Sequence, residues 1–413
     1  MTASDTDVNE GEVVPRSIWH RNLIALWFGL FLTSMGFSGM MPFLSLYIDT
    51  LGKYTQSQLN LYSGLAFSAS FMAAAVVSPI WGSLADRYGR RIMLLRASFI
   101  MAIVVLLMGF ATNVWQLISL RFIQGIFSGY FPNSNALLAI QVPKKESGKA
   151  LGILSTGGVS GSLLGPFAGG ILASIFSYRV TFFITGTLMF LVFLITIFFV
   201  KEKFTPVTKE KNLHTKQVIK VLKRPKLIFG MFITTMIIQA SNYSISPILS
   251  LYVRQIMNNS PSVTFFSGIV AAVPGISTLI AAPRFGALGD KIGTEKIMTF
   301  GFILAIVLYI PMAFVTNVWE LMGLRFLLGI SNACMLPAVQ AIIAKNTPAK
   351  VTGRIFSWNQ SFQAIGNFSG PMIGSVISSM FGYSGVFIST SILVFINLVL
   401  VLRETKNINK IKA

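Results

Sequence analysis

Apolar segments of about 20 residues recur along nearly the whole of this 413-residue chain, and they constrain its fold more than any other feature. A helix of about that length can cross a lipid bilayer. Charged residues make up only 11% of the chain, against about 25% in soluble domains, so a soluble enzyme is excluded. The sequence predicts an all-α membrane protein with twelve spans, near residues 23–47, 60–81, 93–111, 114–139, 151–175, 180–200, 227–253, 264–282, 297–314, 318–343, 355–380 and 385–402.

Positive charge lies mostly on one side of these predicted spans. Of the 33 Lys and Arg residues, 28 fall in the terminal tails and even-numbered loops, whereas Lys53, Arg179 and Arg254 fall on the opposite side. Positive residues tend to stay in the cytoplasm, so both termini are predicted to be cytoplasmic, in a multi-pass protein of the cell membrane. The net charge of +20 then reflects topology and attraction to the lipid bilayer, and no nucleic-acid partner is expected.

The chain repeats itself at a spacing of 204 or 205 residues. Residues 110–129 and 314–333 share 11 of 20 identical positions, and PFLSLY from Pro42 returns as PILSLY from Pro247. Each repeat holds six spans, so the two halves have the same orientation in the membrane. The predicted organisation is a cytoplasmic tail (1–22), a six-helix half (23–200), a cytoplasmic linker with a short amphipathic helix near 214–222 (201–226), a second six-helix half (227–402) and a cytoplasmic tail (403–413).

A glycine-containing polar motif follows the second span in the loop at residues 82–91 (GSLADRYGRR). Its glycines allow a tight turn and close backbone approach. Asp86 can accept hydrogen bonds from a helix N-terminus or pair with a neighbouring arginine, and either contact would clasp two helices together. The copy in the second half has Thr294–Glu295 in place of the two arginines, which predicts a weaker clasp. The conformational residues proposed here are Gly82, Asp86, Arg87, Gly89, Arg90 and Asp290.

Two further patterns lie within the spans. Small residues let helices pack backbone to backbone, and proline bends a helix. Span five has this composition in the spacing G-x8-G-x3-G-P-x2-G-G, at Gly152, Gly161, Gly165, Pro166, Gly169 and Gly170. Span four contains Arg121, whose repeat partner in span ten is Arg325. A buried charge is costly and points to function, although a hydrogen-bonding post between helices is the structural alternative.

These motifs resemble the signatures of the major facilitator superfamily. Residues 82–91 are similar to its loop 2–3 motif, and the span-five glycines are similar to the motif of its twelve-span drug:proton antiporters. The resemblance covers residues 20–402 and implies two parallel six-helix pseudo-repeats that work by alternating access around a central site. It also implies that span five seals the outer gate, that Arg121 takes part in proton transfer, and that a monomer exports drug-like or amphipathic molecules by proton-coupled antiport.

The acidic residues depart from this family pattern. None of the 13 Asp and Glu residues falls in the middle of a predicted span. Asp49 and Glu320, near the outer ends of spans one and ten, could exchange a proton near neutral pH only if the outer gate buries them. A lipid or lysolipid flippase or facilitator on the same fold, without proton coupling, therefore stays open as the alternative. A membrane-embedded enzyme would need a carboxylate or histidine at the membrane face, and none is placed well.

In the family, spans one, four, seven and ten surround the substrate cavity, and span eleven adds to it. Methionine and aromatic side chains adapt to varied apolar shapes. The absence of a carboxylate there favours neutral, zwitterionic or anionic amphiphiles over strongly cationic ones. No P-loop and no metal-ligand spacing is present, so neither ATP nor a cofactor nor a metal is expected. The substrate contacts proposed from sequence are Phe37, Met41, Gln124, Asn242, Tyr243, Asn332 and Trp358.

Overall fold

A computed structural model describes residues 15–202, 204, 219, 221, 222, 224–348 and 351–409 of the chain. This described part is built from helices and their connections. Most of the predicted N-terminal tail, most of the linker with its predicted helix near 214–222, and residues 410–413 lie outside it. The predicted domain boundaries therefore stay a prediction at those points.

The first half contains six spans. Span one bends at a 3-10 turn next to Pro42, where proline fixes the backbone angle φ and lacks an N–H donor. Span four consists of two helices separated by Phe127, Ser128 and Gly129. The six spans are Arg16–Met40 with Met41–Phe43 and Leu44–Thr50; Gln56–Tyr88; Arg90–Gly109; Val114–Ile126 with Tyr130–Gln141; Lys144–Ile175; and Tyr178–Phe199.

The second half repeats this order. Span seven is interrupted near Pro247, as span one is near Pro42, whereas span ten is one continuous helix. A single long helix contains spans eleven and twelve, with a non-helical break at Gly382, whose φ is 70°. The helices are Pro225–Ser244 with Leu249–Ile256; Val263–Ile292; Thr294–Met312; Val318–Lys345; and Thr352–Asn409.

These helices confirm the all-α membrane fold. Ten helices of the described chain are long and apolar enough to cross a bilayer. The two helices of span four have 13 and 12 residues, so each is too short to cross a bilayer alone. The helix Thr352–Asn409 contains two crossings. The twelve predicted spans are thereby accounted for.

Several helices extend beyond their predicted ends. Span two continues to Tyr88 and span five begins at Lys144, because the apolar run ends at the membrane boundary while the helix continues into polar sequence. Residues 82–88 are therefore helical, and placing the whole motif in a loop was wrong. The chain turns only at Gly89, whose φ of 96° suits glycine.

The two halves share internal contacts as well as helix order. Span one packs against spans five and six, and span seven packs against spans eleven and twelve. The hydroxyl of Tyr47 donates to the carbonyl oxygen of Met108 at 2.9 Å, and that of Tyr252 donates to Met312 at 2.8 Å. Asn113 and Asn317 cap the helices that begin spans four and ten. The sequence repeat is thus a repeat of structure.

Candidate functional site

We call the side that carries the chain termini the cytoplasmic side, as the sequence predicts, and the opposite side the outer side. The two halves contact each other in their outer parts, where spans one and seven meet. Arg254 Nη1 lies 2.6 Å from Asp49 Oδ2, forming an ion pair between the halves. The Ser45 hydroxyl donates to the carbonyl oxygen of Pro247 at 2.6 Å. We call the Asp49–Arg254 pair the outer latch.

Spans two and six add further contacts between the halves. The Gln56 amide on span two donates to the Tyr383 hydroxyl at the outer start of span twelve. Farther along the same helix, the Ser68 hydroxyl donates to the carbonyl oxygen of Phe368 on span eleven at 2.9 Å. At the outer ends of spans six and eight, the Tyr178 and Thr264 hydroxyls lie 3.0 Å apart. The outer side of the interface is therefore closed.

Glycines bring spans five and eight together at the same level. A Cβ atom added at Gly170 would lie 2.9 Å from the Cα atom of Gly268, and one added at Gly268 would lie 2.6 Å from the carbonyl oxygen of Pro166. This spacing leaves no room for a side chain, so Pro166 and Gly170 of the predicted motif do lie at the outer interface between the halves.

The other motif glycines serve a different contact, between spans five and one. A Cβ atom added at Gly161, Gly165 or Gly169 would come within 3 Å of backbone oxygens of span one, at Phe31, Met35 and Gly39 respectively. Gly152 has no neighbour within 4 Å of such an atom among the described residues. The motif therefore combines packing inside the first half with a close contact between the halves, while its role as a seal stays a prediction.

The cytoplasmic ends of the spans differ from the outer ends in the contacts described between the halves. Atoms added at Gly82 and Gly286, the equivalent glycines near the inner ends of spans two and eight, meet nothing within 4 Å in the described structure. The inter-half contacts given above all lie in the outer part or the middle of the spans. The contacts described between the halves are thus concentrated away from the ends that carry the chain termini.

Arg121 lies near the inner end of this closed region and is completely buried. Its Nε donates to the carbonyl oxygen of Ala66 at 3.1 Å, and its Nη1 donates to the side-chain oxygen of Gln124 at 2.7 Å. The guanidinium carbon lies 5.5 Å from the ring centroid of Phe37. Arg121 is thus a buried cation whose Nη2 group has no hydrogen-bond partner among the described residues.

Aromatic rings continue from Arg121 across the interface between the halves. The rings of Phe37 and Phe71 lie 6.1 Å apart, and those of Phe71 and Tyr243 lie 5.0 Å apart, both edge to face. Tyr243 belongs to span seven, so this chain of rings joins the two halves. We call Phe37, Phe71, Arg121, Gln124 and Tyr243 the Arg121 cluster.

Sequence reasoning missed Phe71, because span two is outside the four spans that surround the cavity in the family. Its helical spacing gave no separate signal, since aromatic residues are common on lipid-facing and packing surfaces alike. The structure brings three of the predicted substrate contacts, Phe37, Gln124 and Tyr243, into one cluster with it.

The other predicted substrate contacts lie apart from these interactions. Asn242 and Asn332 are half-buried, and the side-chain oxygen of Asn332 has no partner in the described chain. Met41 packs against the main apolar core. Trp358 lines a separate cavity of about 640 Å³ at the cytoplasmic ends of spans seven, eleven and twelve, together with Phe229, Phe362 and Glu404.

The motif at residues 82–91 forms a cytoplasmic contact within the first half. Asp86 pairs with Arg90 one turn later, as one of the two predicted arrangements required. The N-terminus of span three is capped by Glu202, whose two carboxylate oxygens accept from the backbone N–H of Arg90 at 3.0 Å and of Arg91 at 2.7 Å. Asp86 is therefore the partner of an arginine, and the helix-capping role belongs to Glu202.

The remaining predicted coupling residues are more exposed than Arg121. Arg87 lies over the ring of Tyr88 at 5.5 Å, and Asp290 accepts from Lys345 at 3.4 Å on the surface. Glu320 is exposed and accepts from the backbone N–H of Thr316, at the N-terminus of span ten. Arg325 Nε donates to the carbonyl oxygen of Val270 at 2.8 Å, which copies the contact of Arg121 with Ala66.

Comparisons with known proteins agree with this architecture. A family model described as Major Facilitator Superfamily matches residues 26–266 and 231–412. Multidrug resistance protein MdtG of Salmonella schwarzengrund (strain CVM19633) is 50% identical over 397 residues, covering 96% of each chain. Multidrug resistance protein MdtG of Enterobacter lignolyticus (strain SCF1) is 49% identical over 399 residues, covering 97% of this chain and 93% of the relative.

Solved structures show the same fold at low identity. A bacterial homolog of the human lysosomal transporter Spinster, in an inward-facing and occupied conformation, superimposes with a TM-score of 0.81 at 17% identity, covering 95% of this chain and 98% of that one. The nucleoside transporter NupG superimposes with a TM-score of 0.76 at 14% identity, covering 93% and 99%.

Proposed function

This chain belongs to the Major Facilitator Superfamily, and we propose that it is a multidrug efflux transporter that exports drug-like and amphipathic small molecules by alternating access. The observation that carries the proposal is the arrangement of the halves, whose described contacts lie in their outer parts and in the middle of the spans. We interpret this arrangement as an inward-facing state that is open toward the cytoplasm. An exporter takes its substrate from that open side. The relatives named multidrug resistance proteins support export of several compounds.

The Arg121 cluster is the proposed substrate site. Its three aromatic rings offer flat apolar surfaces, which can accommodate different ring systems without a fixed pattern of hydrogen bonds. The buried guanidinium of Arg121 disfavours a cation and has a free donor for an acceptor group on the substrate. We therefore expect neutral, zwitterionic or anionic amphiphiles to be transported in preference to strongly cationic ones, with Asn242 and Asn332 as further polar contacts.

The proton gradient is the proposed energy source, used through proton-coupled antiport. The support is the family resemblance of the span-four motif together with the burial of Arg121, the charged group of that motif. Asp49 is paired across the halves on the outer side, so we assign it to the outer latch and not to carrying protons through the membrane. Both termini are proposed to be cytoplasmic, since this orientation places most basic residues inside the cell, and a monomer is the proposed working unit.

Transport by purified protein in proteoliposomes tests the function. A pH gradient is imposed, and a fluorescent anionic amphiphile, a cationic dye and a labelled lysolipid are followed in parallel vesicles. The test variant is Arg121→Gln, which removes the buried charge. We expect movement of the anionic amphiphile that collapses with the pH gradient, slower movement of the cationic dye, and loss of transport in Arg121→Gln.

The other outcomes have distinct meanings. Movement of lysolipid that does not depend on the pH gradient would refute proton-coupled antiport and support a flippase or facilitator. Preferential movement of the cationic dye would refute the assignment of the Arg121 cluster as the substrate site. Movement of none of the three compounds by folded protein would refute the proposed activity on amphiphiles.

A further inference from the structure

Span four is broken, whereas span ten, its repeat partner, is continuous. The first helix of span four ends at Ile126 and the second begins at Tyr130, after Gly129 with a φ of 123°. Ser128 and Gly129 lie in the break, and their equivalents 204 residues later are Asn332 and Ala333. Both equivalents lie inside the continuous helix Val318–Lys345. The break is therefore a feature of the first half alone.

Two side chains compensate for the backbone groups that the break sets free. Trp81 Nε1 donates to the carbonyl oxygen of Ile126 at 2.7 Å, and Arg96 Nη2 donates to that of Ser128 at 3.1 Å. The guanidinium carbon of Arg96 lies 3.4 Å from the centroid of the Trp81 ring. Freed carbonyls are costly inside a membrane, and a cation at the C-terminal end of a helix is favourable. Trp81 and Arg96 stabilise the bend by both effects.

The second half provides an internal comparison. The positions 204 residues after Trp81 and Arg96 hold Phe285 and Phe300, whose rings stack at 5.9 Å with an interplanar angle of 18°. A phenylalanine side chain has no hydrogen-bond donor. A side-chain contact between the two spans is thus present in both halves, but the hydrogen-bond donors occur only in the half with the broken helix.

The bend also lies between two parts of the proposed transport machinery. Arg121 and Gln124 belong to the short helix that ends at the break. Trp81 and Arg96 flank the motif at residues 82–91 on spans two and three. One contact therefore connects the buried cluster with the cytoplasmic motif.

We propose that Trp81 and Arg96 are positioning residues that hold span four bent in the inward-facing state, and that the bend straightens when the transporter turns outward. The inference rests on the proposed alternating access. Since a hydrogen bond to a charged donor is worth a factor of about ten or more in an equilibrium constant, loss of the Arg96 contact shifts the balance toward the outward-facing state by about tenfold.

Double electron–electron resonance on the full chain in lipid tests this inference. Spin labels at Lys149→Cys and Ala344→Cys, both exposed, report the separation of the cytoplasmic ends of the halves, and the native Cys334 is buried. The test variant combines Trp81→Phe with Arg96→Phe and so copies the second half. The matched control combines Phe285→Leu with Phe300→Leu.

We expect the test variant to lose most of the long-distance population, with a lower kcat for the transported amphiphile, and the control to keep both. Trp81→Phe, which keeps the ring and removes one donor, should shift the distances partly, and thermal unfolding identifies variants that have not folded. An unchanged distance distribution in folded Trp81→Phe and in the double variant would overturn the inference, as would an equal shift in the control. The distances are measured without substrate, so failure of the proposed function leaves this result interpretable.

Discussion

The outer latch makes the most direct prediction, because it is an ion pair formed by one residue of each half. Neutralising either member, by Asp49→Asn or Arg254→Gln, should favour the outward-facing state. The Coulomb energy of such a pair is about 4 kcal/mol at an effective dielectric constant of about 20. The two side chains are 35% and 24% exposed, and solvent screening reduces pairs of this kind to about 1 kcal/mol. We therefore expect an equilibrium shift of about fivefold for each variant.

A double-mutant cycle measures this coupling. Spin labels at Lys53→Cys and Ser262→Cys, which are exposed at the outer ends of the two halves, report opening of the outer side. The double variant Asp49→Asn with Arg254→Gln should shift the distances no further than either single variant, because one lost pair accounts for all three results. The reversed pair, Asp49→Arg with Arg254→Asp, should restore the closed distance.

Additive effects of the two single variants would refute the latch, since independent sites add. The same Asp49→Asn protein also separates a latch from a proton carrier. As a latch variant it should change the transport rate and keep the dependence of transport on the pH gradient. Loss of that dependence with an unchanged conformational balance would assign the proton to Asp49. Glu320→Gln, altering an exposed carboxylate at a helix end, serves as the matched control.

Three further pairs of variants test the site and its scaffold. Gly161→Ala should lower the stability by about 1–3 kcal/mol, because its methyl group meets the Phe31 carbonyl. Gly152→Ala, in open space within the same helix, should keep or slightly raise the unfolding temperature. Arg121→Lys should slow transport by about tenfold or more through loss of its forked hydrogen bonds, and Arg325→Lys by less; equal losses would contradict a special role of Arg121. Tyr243→Leu should raise KM for an aromatic amphiphile by about threefold to tenfold, and Phe99→Leu on the exposed surface should leave KM unchanged.

The span count and the repeat could be predicted from sequence because both depend on periodic apolar composition. The glycine spacing of span five also predicted close packing, and the contacts of Gly161, Gly165 and Gly169 with span one follow from it. The break in span four could not be predicted, since the residues that stabilise it, Trp81 and Arg96, lie on other helices.

Long-range contacts also explain the remaining differences at the candidate site. Glu202 follows the helix end that it caps by more than 100 residues, so no local pattern links it to Arg90 and Arg91. Phe71 becomes part of the Arg121 cluster only when span two meets span seven through Tyr243. Residue type and local spacing predicted the helices, whereas the partners across the interface follow from the tertiary arrangement.

The pseudo-repeat helps to separate the structural from the functional contacts of Arg121. Its bond to the Ala66 carbonyl returns 204 residues later as Arg325 to Val270, so this contact belongs to the shared scaffold and fits the role of a post between helices. The other two contacts of Arg121, with Gln124 and Phe37, have no equivalent in the second half. The equivalent of Gln124 is Leu328, and the equivalent of Phe37, 205 residues later, is Asn242. A scaffold common to both halves would need neither. We therefore propose that Arg121 acts in transport through the asymmetric contacts, those with Gln124 and Phe37. Gln124→Leu should then impair transport while leaving the Ala66 contact and the fold in place.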